Sequence, residues 1–192
     1  VACSYYNCDI TNEGAIEKVK DDIIISHGKI DILINNAAID PKVKTENSHE
    51  TSRLEKFSLK KWNLELSVGL TGAFLCSKIF GSEMAKIGRG VIINVSSDLG
   101  LISPDQNLYR KDGLQDDQQP VKPITYSVIK HGIIGMTKYL ATYWADKGIR
   151  VNTISPGGVY TNQPDEFVSR ISELIPLGRM ASEDEYKAAI LF

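Results

Sequence analysis

The sequence predicts a three-layer α/β fold, a doubly wound parallel sheet with helices packed on both of its faces. Two observations support this prediction. Short apolar strands alternate with helical patterns along the whole 192-residue chain, and no internal repeat or low-complexity segment interrupts that alternation. Strands of this kind are typical of parallel sheets, because the connecting helices bury both sheet faces. The length fits one domain, expected to cover residues 1–192.

The N-terminal part is predicted to hold two strands with a helix between them. Residues 3–8 form the first predicted strand, and Thr11 can cap a helix that stops at Gly28. Residues 30–34 form the next predicted strand, and a polar loop then continues to Ser58. The helix would carry the chain from the end of one strand to the start of the next.

The middle of the chain is predicted to form one long helix and one strand. The helix covers residues 59–86 and is interrupted at Gly69 and Gly72, since glycine weakens a helix interior. The strand covers residues 91–95, and a long polar stretch fills residues 98–123.

The C-terminal part is predicted to contain a helix over 124–147, a strand over 149–154 and two further helices. The first of these two starts near Asp165. The second starts at Ser182, where Ser182 and Glu185 form a capping-box pattern.

Composition excludes several classes of function. The net charge is −2 and the basic residues are scattered, so no nucleic-acid-binding surface is expected. Apolar runs such as residues 90–95 are too short to span a bilayer, so no membrane segment is expected. The three cysteines, Cys3, Cys8 and Cys76, show no metal-ligand spacing. They indicate reduced thiols in a cytoplasmic protein without a metal site.

A tyrosine and a lysine one helical turn apart give the strongest chemical signal. Tyr126 and Lys130 lie on the same helix face, and a cation near a phenol favours the phenolate. Such a pair can move a proton near neutral pH. The same spacing recurs at Tyr143 and Lys147, roughly 25 Å along the same predicted helix. Tyr126 follows a polar loop, where chemistry usually occurs, and we therefore expect Tyr143 to serve packing or the surface.

Further polar and small residues stand where predicted strands end, which is where open α/β sheets bind ligands. In chain order they are Asp9, Asn36, Ala37, Ala38, Ser97, Pro156, Gly157, Val159 and Thr161. Taken alone, most of these positions have an ordinary alternative as turn or helix-capping residues. The order of the whole set is far more specific than any one member.

Together with the Tyr126–Lys130 pair, this order resembles the classical short-chain dehydrogenase/reductase family over essentially the whole chain. The resemblance implies a Rossmann-type domain that binds NAD or NADP and interconverts a secondary alcohol and a ketone. It also implies three catalytic roles. Ser97 would hold the substrate oxygen, Tyr126 would be the general acid/base, and Lys130 would hold the nicotinamide ribose and lower the pKa of the tyrosine.

The resemblance further implies a set of cofactor-binding residues. Asp9 would contact the adenine, and the turn Asn36–Ala38 would line the cofactor. Thr161 and the backbone near Val159 would contact the nicotinamide amide. Tyr126, Lys130, Pro156 and Gly157 complete the expected set.

The chain lacks the Gly-rich phosphate loop that the family places after its first strand. It is therefore expected to begin at the third strand of the family fold and to stop inside a helix. We expect the residues to be a segment of a longer enzyme, truncated at both ends, with an incomplete sheet. The residue that would separate NAD from NADP lies outside such a segment.

Gly69 stands where the family has an asparagine that helps to hold a relay water. A glycine offers no side chain, although it permits the local helix irregularity that exposes a carbonyl. A weakened proton relay is the expected consequence, and an asparagine restored at this position is expected to keep or raise the rate. The alternative is a non-catalytic nucleotide-binding or scaffold protein of the same fold.

Ser97 and Tyr126 are 29 positions apart, a longer spacing than is usual in the family. The intervening polar stretch is either a solvated surface excursion or a wall over the substrate pocket. Its charged residues would suit a polyol, a sugar or a phosphorylated substrate; they are Asp105, Arg110, Lys111 and Asp112. The expected substrate is a small alcohol or carbonyl compound, sugar-like or polyol-like.

The helix over 124–147 is apolar on more than one side, whereas a helix that covers a sheet needs only one apolar stripe. A second stripe indicates burial against another helix or another subunit. The family resemblance adds that members pair through this helix and the helix over 59–86. A homodimer or homotetramer is therefore expected.

Overall fold

The structure, a computed structural model, describes residues 3–39 and 52–191. Its sheet has three parallel strands: β1 (Ile32–Asn35), β2 (Gly90–Val95) and β3 (Ile149–Ile154). They lie in chain order, with Ile32 paired with Val91, and Gly90 paired with Ile149. The strands predicted over 30–34, 91–95 and 149–154 are thus confirmed, with β1 displaced by one to two residues.

The described part of the chain contains six α-helices. They are α1 (Glu13–His27), α2 (Leu59–Leu66), α3 (Ala73–Ile87), α4 (Ile124–Tyr143), α5 (Asp165–Leu174) and α6 (Lys187–Leu191). A wide turn of π-helix, Ser67–Gly72, joins α2 to α3. Short 3₁₀ turns occur at 54–56, 98–100, 106–109, 116–118 and 145–147.

The main hydrophobic core lies on one face of the sheet, under α3 and α4. Ile92 and Val151 from the strands pack against Met84 of α3 and Leu140 of α4. On the other face the side chain of Ile32 is 60% exposed, although a continuously apolar strand is usually covered on both sides. The described residues thus supply the sheet and the helical layer on one of its faces.

The ends of α1 show how local chemistry sets a helix boundary. Asn12, rather than the predicted Thr11, caps the helix, because the Asn12 side chain accepts the backbone N–H of Ala15 at 3.1 Å. Thr11 is instead held by Asp9, whose Oδ1 accepts both the N–H and the hydroxyl of Thr11. The predicted stop at Gly28 is confirmed, with φ of 79° and its N–H donated to the carbonyl of Ile24.

The strand predicted over residues 3–8 is wrong. These residues form no regular element, because none of them pairs with another strand in the described chain. Tyr5 is 89% exposed, whereas Cys8 and Ile10 pack against a cluster formed by α1 and α3. An apolar run becomes a strand only where another strand satisfies its backbone groups.

The predicted interruption of the long helix is confirmed. Gly69 and Gly72 are both buried in the π-turn, and a Cβ on Gly72 would approach Ile10 to 2.7 Å. By length and composition the continuous helix Leu59–Ile87 could cross a membrane, because it contains an 18-residue apolar stretch with a mean hydropathy of 1.3. Half of that stretch is buried inside the domain, where α3 packs on the sheet and on α1. Core helices of soluble proteins pass the same test.

Two C-terminal boundaries differ from the prediction. The helix predicted over 124–147 ends at Tyr143 and continues as a 3₁₀ turn to Lys147. The last helix begins at Lys187, not at Ser182. Glu185 does accept the N–H of Ser182 at 2.6 Å, but it also pairs with Arg179 at 2.7 Å, and residues around it form a turn.

Candidate active site

A cavity of about 270 Å³ opens at the carboxyl ends of all three strands. Parallel strands bring their carboxyl ends to one sheet edge, so residues distant in sequence converge there. The lining residues are Asn36, Ala38, Ile39, Glu65, Gly69, Val95, Ser96, Ser97, Tyr126, Ile129, Lys130, Pro156 and Gly157. The three predicted catalytic residues are therefore together in one cavity.

Ser97 is held in the first turn after β2. Its hydroxyl donates to Asp98 Oδ1 at 2.6 Å and accepts the N–H of Leu99 at 3.2 Å. The turn lies close to α4 because Gly100 has no side chain: a Cβ there would approach the Lys130 carbonyl to 2.7 Å. Ser96 ties the same two elements, donating to the Lys130 carbonyl at 2.7 Å.

Tyr126 and Lys130 lie in the first turns of α4, which begins directly after Pro123. Lys130 Nζ donates to the carbonyl of Val95 at 2.9 Å, and lies 5.7 Å from the Tyr126 ring centroid. This hydrogen bond fixes the Lys130 ammonium beside the Tyr126 phenol, at the carboxyl end of β2.

A second cation, Lys122, lies over the Tyr126 ring with its Nζ 3.7 Å from the centroid. It comes from the end of the polar stretch, whose backbone is fixed there because Gln106 accepts the N–H of Lys122 at 2.9 Å. Sequence reasoning missed Lys122. Its position, four residues before Tyr126 and just before α4, was the signal that could have placed it near the tyrosine.

Tyr143 lies outside the cavity. Its side chain is 60% exposed and stacks on Tyr139, with ring centroids 5.7 Å apart. The geometry thus favours Tyr126 over its sequence twin.

A buried network of amides and hydroxyls fixes the strand ends below the cavity. Asn35 donates to Asn94 at 2.7 Å and to Ser77 at 2.9 Å. Asn94 is fully buried and donates in turn to Thr137 at 2.8 Å. Buried amides cost free energy unless they are hydrogen-bonded, so the satisfied network holds β1 and β2 in register beneath Asn36. Sequence reasoning missed Asn94, which lies inside an apolar run.

Four predicted cofactor-binding residues do not line this cavity. Asp9 is exposed, and its hydrogen bonds to Thr11 lower the pKa of its carboxyl group. Ala37 is exposed between two lining residues. Val159 pairs with Ala181, and its carbonyl accepts from Gln163 at 2.8 Å.

Thr161, the fourth, lines a separate depression between residues 160–162 and 182–184. Its N–H donates to Gln163 Oε1 at 2.7 Å, and Ser182 borders the same depression. Its role at the nicotinamide stays a prediction.

The region around Gly69 differs most from what the sequence indicated. A Cβ on Gly69 would lie 2.9 Å from Cγ2 of Ile129, so Ile129 occupies the space of a side chain at position 69. One turn earlier, Glu65 lines the same cavity and is only 3% exposed. Its carboxylate accepts the hydroxyl of Thr125, which is fully buried. Sequence reasoning missed Glu65.

The polar stretch over 98–123 is folded against its surroundings. Arg53 donates to the Asp116 carbonyl at 2.8 Å, and Arg170 of α5 donates to the Arg110 carbonyl at 2.7 Å. The rings of Tyr109 and Phe167 lie 5.8 Å apart. Most of its side chains are exposed, so the stretch is a docked surface segment, and its Lys122 contacts the Tyr126 ring.

Two family profiles together match nearly the whole chain. That of the short chain dehydrogenases matches residues 1–109, and that of the enoyl-(acyl carrier protein) reductases matches residues 117–192. The chain belongs to the short-chain dehydrogenase family.

Two named members of this family are 30% and 32% identical to the chain over the aligned residues. D-threitol dehydrogenase of Mycolicibacterium smegmatis is 30% identical over 97% of this chain and 64% of its own length. NAD-dependent glycerol dehydrogenase of Listeria innocua is 32% identical over 96% of this chain and 65% of its own length. The chain thus spans less than two thirds of either relative.

A solved structure confirms the fold class. The short chain dehydrogenase of Leptospira borgpetersenii with bound NAD+ is 32% identical and superposes with a TM-score of 0.84. The superposition covers 98% of this chain and 67% of that one. Within residues 3–39 and 52–191, no group of three or more His, Cys, Asp or Glu side chains is placed to hold a metal ion.

Proposed function

We propose that the intact protein is an NAD(P)-dependent oxidoreductase that interconverts a secondary alcohol and a ketone of polyol-like or sugar-like substrates. The observation that carries this proposal is the convergence of Ser97, Tyr126 and Lys130 on one cavity at the strand ends. The relatives act, by their names, on threitol and glycerol.

The residues around the cavity fit a nicotinamide cofactor. Ala38 and Gly157 are small residues in the cavity wall, so they would let a cofactor approach the backbone. Lys130 supplies a donor at the same edge. When bound, the nicotinamide would accept or supply the hydride. Asn36, Ala38, Pro156 and Gly157 would hold it, with Lys130 at the ribose.

The protein side chains would manage the proton. Tyr126 would take the hydroxyl proton of the alcohol, and the cations of Lys130 and Lys122 favour its phenolate form. The Ser97 hydroxyl, which donates to Asp98 in this structure, would turn to donate to the substrate oxygen. Tyr126 and Ser97 would thus orient the reacting oxygen from two sides.

The non-catalytic alternative raised by Gly69 finds no support among the two named relatives, both dehydrogenases. The test is turnover by the purified intact protein with NAD+ or NADP+ and a panel of polyols that includes threitol and glycerol. We expect Tyr126→Phe to lower the turnover number by at least about a hundredfold, the usual contribution of a general acid/base. Tyr143→Phe, the matched control, should leave it unchanged.

Equal effects of these two substitutions would contradict the assignment of Tyr126. Absence of turnover with every polyol and both cofactors would contradict the proposed activity itself.

We further propose a cytoplasmic homo-oligomer, a homodimer or homotetramer, that pairs through α2–α3 and α4. Phe74 on α3 and the stacked Tyr139 and Tyr143 on α4 are exposed, which supports an apolar contact there. Light scattering should give at least a dimer at micromolar concentration, and cell fractionation should recover it with cytoplasmic markers. A monomer would contradict the first proposal, and recovery outside the cytoplasmic fraction would contradict the second.

A further inference from the structure

Glu65 is a buried carboxylate in the wall of the cavity that contains Tyr126 and Lys130. It is 3% exposed, and charged groups are almost never buried to this extent without a partner. Burial of a carboxylate costs free energy that an apolar side chain would not. Position 65 belongs to α2, whose next turn carries Gly69 on the same cavity wall.

Position 69, one turn after Glu65, cannot supply a polar side chain. Gly69 has none, and the apolar Ile129 fills the adjoining space, 2.9 Å from where a Cβ would stand. On the wall formed by α2 and the π-turn, the carboxylate of Glu65 is therefore the side chain able to take up a proton.

The carboxylate also has a partly exposed cation near it. Its Oε1 lies 3.9 Å from Nζ of Lys61, whose side chain is 29% exposed. Its Oε2 accepts the Thr125 hydroxyl, which fixes the group next to the first turn of α4. Thr125 of α4 thus orients Oε2 of Glu65, and Oε1 faces the Lys61 ammonium.

We propose that Glu65 is the proton-relay residue of this site, placed between the Tyr126–Lys130 pair and solvent. The inference rests on the proposed function, in which every turnover moves one proton into or out of the cavity. In alcohol oxidation the substrate O–H bond breaks and its proton goes to the Tyr126 phenolate. A water molecule in the cavity then takes that proton and gives one to Glu65. Glu65 releases it to solvent beside Lys61, and the phenolate is restored.

The surrounding charges suit this task. Lys61 on the same helix places a cation 3.9 Å from one oxygen of the Glu65 carboxylate. On α4 the titratable groups facing the cavity are Tyr126 and Lys130, and Lys122 lies over the Tyr126 ring. Glu65 touches no reacting atom in this scheme, so it acts through Tyr126 as a positioning and relay group.

The experiment compares hydride transfer with proton release in the intact protein and its Glu65→Gln variant. Glutamine keeps an oxygen that accepts from Thr125, but it cannot carry a proton. In stopped flow, nicotinamide absorbance reports hydride transfer and a pH-indicator dye reports proton release, with NAD+ or NADP+ and the best polyol of the panel. We expect proton release in Glu65→Gln to lag at least about tenfold behind the wild-type rate, with KM little changed. Added imidazole buffer should shorten the lag.

Glu83→Gln is the matched control. Glu83 lies on α3 in an ion pair with Lys86 at 2.6 Å, outside the cavity, and its loss should leave both signals unchanged. Should Glu65→Gln fail to fold, Glu65→Asp keeps a titratable group displaced by one methylene and should show a smaller, imidazole-sensitive lag. Proton release at the wild-type rate in either folded variant, without imidazole dependence, overturns the relay and leaves the proposed activity intact. A wild-type protein without turnover overturns both.

Discussion

Replacing Gly69 by asparagine tests how the helix around the π-turn is packed. The new Cβ would lie 2.9 Å from Cγ2 and 3.0 Å from Cδ1 of Ile129. Carbon atoms prefer about 3.5–4.0 Å, so the overlap is roughly 0.5–1 Å. Ile129 is buried and β-branched, and its Cγ2 cannot move far from the backbone. Overpacking of this kind costs about 1–3 kcal/mol.

The gain in helix propensity offsets only a small part of that cost. Glycine and asparagine differ by about 0.3 kcal/mol in a helix interior, which leaves a loss of about 1–3 kcal/mol in the free energy of unfolding. For a domain of this size the melting temperature should fall by about 2–12 °C. The sequence alone led us to expect that asparagine would keep or raise the rate; the packing argues against that expectation.

Urea unfolding and thermal melts of four proteins separate packing from other effects: wild type, Gly69→Asn, Ile129→Ala and the double variant. Ile129→Ala alone should cost about 2–5 kcal/mol, because it leaves a cavity. The double variant should lose at least about 1 kcal/mol less than the two single losses together, since the asparagine then fills the space. Gly14→Ala is the control, because a Cβ there meets only Asn12 Oδ1 at an ordinary 3.5 Å. Additive losses, or a Gly69→Asn variant as stable as wild type, would refute this reasoning.

Two further predictions concern charges. Lys122→Met removes a cation 3.7 Å from the Tyr126 ring centroid, so the tyrosine limb of the kcat/KM pH profile should move to higher pH. The exposed Lys60→Met should not move it, and identical profiles for both variants would contradict a role for Lys122. The ion pair with Arg179 lowers the pKa of Glu185 to about 2, so its contribution to stability is complete above about pH 4.5 and is lost as pH falls towards 2. Glu185→Gln should flatten the acid side of the melting-temperature profile, and parallel profiles of the two proteins would count against this.

The elements that the sequence predicted correctly are those with local signals. The three strands are apolar runs, and a glycine in the left-handed region ends α1 at Gly28. Gly69 and Gly72 marked the irregular turn inside the long helix. Such signals act within a few residues, so a reading along the chain can find them.

The failures depend on contacts that a linear reading does not contain. Residues 3–8 have the composition of a strand but no strand partner in the described chain. Asn12 and Thr11 are both good capping residues, and the bond from Thr11 to Asp9 decides between them. Glu65 would be assigned to a solvated helix face from its residue type, yet the packing of α2 on α4 buries it. Burial of polar side chains is set by tertiary structure.

The unusual residues around position 69 compensate for one another in the packing. A site that had only lost an asparagine side chain would leave a void beside Tyr126, and voids are costly. Here Ile129 fills that space, and Thr125 satisfies a carboxylate one turn away. Both of these residues flank the pair Tyr126 and Lys130 on α4. A scaffold without chemistry would have no need for a buried, hydrogen-bonded carboxylate in this wall, because an apolar side chain would be cheaper to bury. The packing therefore favours a rebuilt site over a decayed one, and turnover by the wild-type protein with a polyol and NAD+ or NADP+ distinguishes the two.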